Sequence, residues 1–259
     1  MPLDRGLASN LGFSQSGVMS SRSVMLPELT ALMAFAPGDA DPETLQRLVV
    51  DEDALNKPSA ANRTKTFSFL RNLYGLNPQL PIYREFSRLC HLSPVDTTVL
   101  AGSLAFARET VLKACANMVL DTAIGEPLGR EDFEAWVREY APGRYSQTMY
   151  VSFSHNLYAS FFQLGYLSDA AGKTRIRKRR DVRPASVAYA AFLDWLTGLN
   201  GITLLTGAFS KTLELAKDEH LNLLSAAGQQ GLMRVAYAGG VLQLDFPTWL
   251  RPGEYRLSL

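Results

Sequence analysis

The sequence predicts a mainly helical fold that carries two small β-hairpins. Apolar residues recur at spacings of three and four along most of the chain, which is the period of an amphipathic helix. Helix start signals, such as Ser or Asp followed by Pro or acidic residues, alternate with Gly and Pro stop signals. Residues 166–180 and 232–246 break this pattern, and each segment places short β-like runs on either side of a tight turn.

Length and composition set the scale of the fold. The chain has 259 residues and is 47% hydrophobic, so it can bury one large core or two to three small ones. We expect four regions. They are a flexible N-terminal arm (residues 1–21), a three-helix, helix-turn-helix-like subdomain (22–80), a helical core with a basic wing (81–184) and a C-terminal helical and winged-helix-like subdomain (185–259).

Cysteine usage and hydropathy indicate a compartment. Cys90 and Cys115 are the only cysteines, and no Cys or His pair has the spacing of zinc ligands. The N-terminal arm lacks the apolar segment of a secretory signal. Residues 185–209 carry a single charge, Asp194, but several Gly residues interrupt them, which favours a buried helix ending at Gly198 over a membrane span. We therefore expect a cytoplasmic protein with reduced thiols and with no metal or cofactor.

The helix predicted over residues 59–76 has two separable faces. Ser59 is a natural N-cap and Gly75 a natural stop. One stripe is apolar: Phe67, Leu70, Leu73 and Tyr74. The opposite side offers cationic and amide donors: Lys65, Ser68, Arg71 and Asn72. Such a helix suits contact with DNA phosphates or the major groove, although a solvated amphipathic helix is the commoner structure with this pattern.

A single long helix is predicted over residues 93–124, at the centre of the core. Its apolar residues recur every three or four positions, and Ser93-Pro94 followed by Asp96 is a typical start. We expect Arg108, Glu109 and Lys113 on its outer side. Glu109 and Lys113 have the i, i+4 spacing of a surface ion pair.

Positive charge is concentrated in one run. Residues 170–186 hold seven cations and one acid, a local charge of +6, so the rest of the chain carries −5 to give +1 overall. Strand alternation predicts Arg175, Arg177 and Arg179 on one edge, as a ribbon along a phosphate backbone. A disordered basic linker and contact with anionic lipid headgroups are the other interpretations. The candidate DNA contacts are Lys173, Arg175, Arg177, Lys178, Arg179, Arg180 and Arg183 in this run, and Arg63, Lys65 and Arg71 in the earlier helix.

No catalytic signature is present in the sequence. It has no phosphate-binding Gly loop, GxSxG or HExxH motif. The three histidines, His91, His155 and His220, lie in different segments, where packed or surface roles are the usual ones. The sequence therefore predicts a protein that is not an enzyme.

Four short motifs follow one another between about residues 20 and 180. They are Ser20-Ser21-Arg22-Ser23, residues 55–63 (LNKPSAANR), Gly129-Arg130-Glu131-Asp132-Phe133 and Phe162-Gln163-Leu164-Gly165-Tyr166-Leu167. In order and spacing they resemble the BrxA family of bacteriophage exclusion (BREX) defence systems. The resemblance implies a cytoplasmic defence protein that binds double-stranded DNA, has no known enzymatic activity and has a core similar to the NusB antitermination factor. From about residue 185 the chain departs from the shorter members.

The predicted function is therefore phosphate-mediated binding of duplex DNA with little sequence specificity. The expected partners are double-stranded DNA and other BREX proteins, and not a membrane. An RNA-binding, antitermination-like role would use the same surface, although RNA readers usually place aromatic residues beside the cations and the basic run has none. A structural adaptor that docks other defence subunits is the third interpretation.

Overall fold

The computed structural model describes residues 4–14, 17–169 and 174–255, and it confirms a mainly helical fold. The strands are β1 (Pro127–Leu128), β2 (Arg175–Ile176), β3 (Arg234–Ala238) and β4 (Val241–Asp245). The α-helices are α1 (Arg5–Leu11), α2 (Leu26–Phe35), α3 (Pro42–Gln46), α4 (Ala60–Tyr74), α5 (Pro81–Leu92), α6 (Thr97–Arg108), α7 (Thr110–Asp121), α8 (Arg130–Tyr140), α9 (Gln147–Gln163), α10 (Pro184–Leu196) and α11 (Lys217–Gln229).

Helices α6 and α10 form the centre of the core. Every residue of α6 from Val99 to Arg108 is buried, and so are residues 185–194 of α10. Both helices are rich in Ala and contain Ser, and α6 also contains Gly102. Small side chains of this kind let neighbouring helices approach closely. The helix expected to end at Gly198 is confirmed, since α10 ends at Leu196. None of the described helices is long and apolar enough to cross a membrane.

The described part of the predicted N-terminal arm, residues 4–14 and 17–21, includes helix α1 and two buried apolar side chains. Asp4 accepts hydrogen bonds from the backbone N–H groups of Gly6 and Leu7, at 2.9 and 3.3 Å, and so caps α1. Leu11 and Met19 are both fully buried. A Gly- and Ser-rich composition does not prevent these two apolar side chains from anchoring the segment to the core.

The two-faced helix is confirmed as α4. The hydroxyl of Ser59 accepts from the N–H of Asn62 at 3.2 Å, and Gly75 ends the helix with a φ of +79°. The predicted apolar stripe is buried. Tyr74 adds a hydrogen bond from its hydroxyl to the carbonyl oxygen of Val24 at 2.7 Å, which ties α4 to the start of α2.

The long helix predicted over residues 93–124 is interrupted. Glu109 has extended backbone angles (φ −124°, ψ 100°) and separates α6 from α7. Its carboxylate accepts from the N–H of Val18 at 2.9 Å and from that of Val111 at 3.3 Å. The expected surface pair with Lys113 is wrong, because Glu109 is fully buried. Arg108 is buried too, and its Nε donates to the carbonyl oxygen of Leu73 at 2.9 Å.

The β structure is limited to two small antiparallel sheets in the described residues. The C-terminal hairpin is confirmed: Ala238 pairs with Val241 across a two-residue turn, Gly239-Gly240, in which both φ angles are positive. The basic segment differs from its prediction. Strand β2 pairs chiefly with β1, which the sequence did not indicate, and only a single bridge, Leu167 to Arg177, joins it to the expected partner.

Candidate nucleic-acid interface

The structure divides the basic run into buried and exposed cations. Arg177 is only 1% exposed, so it cannot reach a phosphate. Its Nε donates to the carbonyl oxygen of Val119 at 2.7 Å, and its Nη2 donates to the carboxylate of Glu214. The prediction that Arg177 binds DNA is corrected, because this guanidinium holds α7 and the segment after α10 together.

Arg180 is the second buried cation of the run. Its guanidinium lies 4.0 Å from the ring centroid of Tyr166, and its Nη2 donates to the carbonyl oxygen of Thr212 at 2.8 Å. Burial lowers the pKa of the Arg180 guanidinium. Arg180 is therefore also removed from the predicted DNA contacts. Lys173 lies outside the described residues.

The remaining cations of the run lie at the surface. Lys178 is exposed, and Arg175 is half-buried with its guanidinium 3.5 Å from the ring centroid of Phe162. Arg179 pairs with Glu219, and Arg183 pairs with Asp181 at 2.7 Å. Exposed pairs of this kind contribute about 0–1 kcal/mol, so these two arginines remain open to exchange with a phosphate.

The polar face of α4 is more accessible than the run. Lys65, Arg71 and Asn72 are exposed. Neither Lys65 nor Arg71 forms an ion pair with a described residue. Arg63 differs from them, since its Nη1 lies 3.4 Å from Oδ2 of Asp53. The structure thus leaves two of the three predicted α4 cations without a counter-charge.

A groove of about 480 Å³ runs between α4 and the segment that follows residue 16. It is lined by Gly17, Val18, Ser21, Arg22, Thr64, Lys65, Ser68, Phe69 and Asn72. Arg22 was not predicted to contact DNA, although it lies in the Ser20–Ser23 motif singled out in the sequence. Among the described residues the lining contains two cations, three hydroxyl groups and one side-chain amide, and no acid. Cationic, hydroxyl and amide groups can all donate hydrogen bonds to phosphate oxygens.

Helix α9 contacts the segment of residues 18–20 that borders this groove, and it also contacts the surface part of the basic run. Its Gln163 accepts from the N–H of Leu26 at 3.0 Å, and its Asn156 donates to the carbonyl oxygen of Met19 at 2.9 Å. Phe162, on the same helix, is covered by Arg175. The two candidate surfaces therefore lie on neighbouring elements rather than on unrelated parts of the fold.

No group of three or more His, Cys, Asp or Glu side chains in the described part of the chain is placed to hold a metal ion. His91 is exposed, and its Nδ1 and Nε2 lie 2.7 and 3.0 Å from the carbonyl oxygens of Ser87 in α5 and of Ala36 at the end of α2. His220 is buried. Comparison of the chain with models of known protein families finds no match, and comparison with curated protein sequences finds none either.

Proposed function

We propose that this protein binds duplex DNA through its phosphates, with the groove beside α4 as the primary contact. The observation that carries the proposal is that no acid of the described residues lines this groove, whereas the half-buried Arg22 and the exposed Lys65 line it together with Ser68 and Asn72. Arg71 adds a further exposed cation on the same helix. Each cation that neutralises a phosphate releases a counter-ion, which makes the binding salt-dependent.

The shape of the groove favours backbone contact over base reading. A recognition helix reads bases by presenting a free face to the major groove. Here the segment containing Gly17 and Val18 lines one side of the polar face of α4 and leaves a concave site. A phosphate group projects from the DNA surface and can enter such a concave site. A base edge lies deep in the DNA groove and cannot reach it. We therefore expect little sequence specificity.

Finer parts of the proposal come from the sequence. We interpret α2, α3 and α4 as a helix-turn-helix-like unit with α4 as the contacting helix, and the surrounding helices as a NusB-like core. From the resemblance of its sequence motifs to the BrxA family, we propose that this DNA binding serves a BREX phage-defence system. Phage plating on cells that lack this protein, and on cells that regain it, tests this role. Unchanged plating efficiency in both would contradict it.

A salt titration with matched variants tests the DNA contact. The first variant replaces Arg22, Lys65 and Arg71 by Ala, and the control replaces the exposed Arg144, Lys217 and Arg234, which lie elsewhere. Circular dichroism and thermal unfolding establish that both are folded. The plot of log affinity against log salt should become shallower by about two to three units in the first variant. Equal slopes in the two variants, or no binding by the wild type at low salt, would refute the proposal.

An adaptor role is the second candidate, and one observation favours it. Phe35, Leu92 and Val95 are 62%, 61% and 69% exposed. The ends of α2 and α5 that carry the first two are joined by a 3.0 Å contact between Nε2 of His91 and the carbonyl oxygen of Ala36. A variant with Ser at all three exposed positions should lose co-purification with other defence subunits while it keeps DNA binding. Retained co-purification would exclude this surface.

A further inference from the structure

A second cavity, of about 540 Å³, opens between α7 and residues 208–212. Lys113 and Lys211 line it together with Thr110 and Asn117, and its apolar wall includes Leu120. No acidic side chain of the described residues lines it. We propose that this cavity is a binding site for the phosphate group of an anionic ligand, separate from the groove beside α4.

Lys113 is the centre of the argument. It is half-buried, and its Nζ lies 4.3 Å from the ring centroid of Phe209. Within the described residues its ammonium makes no hydrogen bond and no ion pair. Burial lowers the pKa of Lys113, as expected for an ammonium group with few polar neighbours. The ammonium nitrogen of Lys113 is not fully buried, so it remains open to the cavity, where the oxygen of a bound anion could accept its hydrogen bonds.

The acid that acts electrostatically on Lys113 is Asp194, and its carboxylate already accepts hydrogen bonds from the backbone. The two carboxylate oxygens of Asp194 accept from the N–H groups of Phe209 and Ser210, at 3.1 and 2.8 Å. Asp194 therefore stays behind Phe209 instead of entering the cavity as a counter-charge for Lys113. The cavity keeps its cationic character, and an external anion can complete it.

The donors select the ligand class. Thr110, Lys113, Asn117 and Lys211 together offer more donors than the two oxygens of a carboxylate can use, whereas a phosphate presents three or more. The volume lies within the range of about 300–1,000 Å³ that is typical of small-molecule sites. The apolar wall can pack against an organic group attached to the phosphate. A phosphate monoester such as a nucleotide has this chemistry, and so does a phosphate within a nucleic acid strand.

Calorimetric titration of the folded full-length protein with AMP and with inorganic phosphate tests the site. Lys113→Met keeps the length of the side chain and removes its charge, and Lys217→Met is the control at an exposed position outside the cavity. Lys113→Met should weaken binding at least tenfold, and Lys217→Met should change it less than twofold. Equal affinity in the two variants would overturn the proposal. So would the absence of binding by either probe at millimolar concentration together with the absence of protection of Lys113 by a DNA duplex.

Amine labelling locates the bound anion and identifies its source. A bound ligand should slow the modification of Lys113 and Lys211 severalfold and leave the modification rate of Lys217 unchanged, as measured by peptide mass spectrometry. The ligands compared are AMP and a DNA duplex. Protection by AMP and not by a DNA duplex assigns the cavity to a free ligand. Protection by the duplex, at concentrations that saturate the protein with DNA, assigns the phosphate to nucleic acid. Protection by neither would refute the site, whatever the result at the groove beside α4.

Discussion

The guanidinium of Arg177, which is fully buried, is paired with the carboxylate of Glu214. These residues lie 37 positions apart in the chain. Glu214 has a φ of +56°, so the backbone turns sharply where it presents this carboxylate. The most basic segment of the sequence therefore supplies a structural ion pair, and its surface charge is smaller than composition suggests.

Arg177→Met should be strongly destabilising. The substitution leaves the carboxylate of Glu214 and the carbonyl oxygen of Val119 without their donor. Loss of one partner of a buried pair costs about 3–5 kcal/mol of unfolding free energy. Urea denaturation measures this loss. The exposed neighbour Lys178→Met should change the unfolding free energy by less than about 0.5 kcal/mol. Addition of Glu214→Gln to Arg177→Met should restore part of the unfolding free energy that Arg177→Met loses. An Arg177→Met variant as stable as wild type would disprove the structural role of the ion pair.

Gly207→Ala should destabilise the packing around α10. A Cβ atom at Gly207 would overlap with Cγ of Asp194, whose carboxylate accepts hydrogen bonds from the backbone N–H groups of Phe209 and Ser210. We expect a loss of about 1–3 kcal/mol or more, as for other forced overpacking. Gly17→Ala is the matched control, because a Cβ there meets no atom of the described part of the chain within 4 Å. Similar thermal unfolding of the two variants would contradict the close contact.

His220 should make stability fall at acidic pH. Burial lowers the pKa of His220 from 6.5 to about 4. The unfolded chain therefore binds a proton between these values and the folded protein does not, so this contribution is complete above about pH 6.5 and declines as the pH falls toward 4. The loss from pH 7 to pH 5 should be about 2 kcal/mol.

Unfolding free energies of His220→Leu and of wild type at several pH values measure this effect. The side chain of His220 is buried, and its Nε2 has no partner among the described residues, so Leu removes the titration without breaking a hydrogen bond from that atom. His155, which is exposed, provides the control through His155→Gln. If His220→Leu keeps the same loss between pH 7 and pH 5 as wild type, other groups cause it.

Ser59→Ala should weaken α4 at its start. The substitution removes the acceptor of the N–H of Asn62 and costs about 1 kcal/mol. Chemical denaturation measures the loss, and hydrogen exchange of the first turn of α4 locates it. Ser152→Ala, at an exposed position within α9, should be neutral or slightly stabilising. An unchanged exchange rate at Asn62 would show that Ser59 does not stabilise this turn.

Much of the helical fold could be predicted because its signals are local. The cap at Ser59, the stop at Gly75 and the Gly239-Gly240 turn each depend on residues within a few positions. The break at Glu109 could not be predicted in this way. The apolar residues of segment 93–124 have the periodicity of a continuous helix. The contacts that hold Glu109 in the core come in part from Val18, 91 positions away.

The candidate site shows the same division. The exposed face of α4 follows from helical periodicity, so Lys65 and Arg71 were identified correctly as surface cations. The pairing of Arg177 and the burial of Arg180 have no local signal, since their partners Glu214 and Thr212 follow α10. Arg22 entered the groove beside α4 only because the chain before α2 folds back onto α4.

The sequence by itself determined the helical class, the limits of α4 and the C-terminal turn, because capping, periodicity and turn geometry act over short distances. The tertiary structure alone decided which cations reach solvent. A guanidinium carries the same charge in any sequence, but its availability to a phosphate depends on whether the fold places a carboxylate or carbonyl oxygen beside it. The fold pairs Arg177 with Glu214, whereas Lys65 has no counter-charge among the described residues.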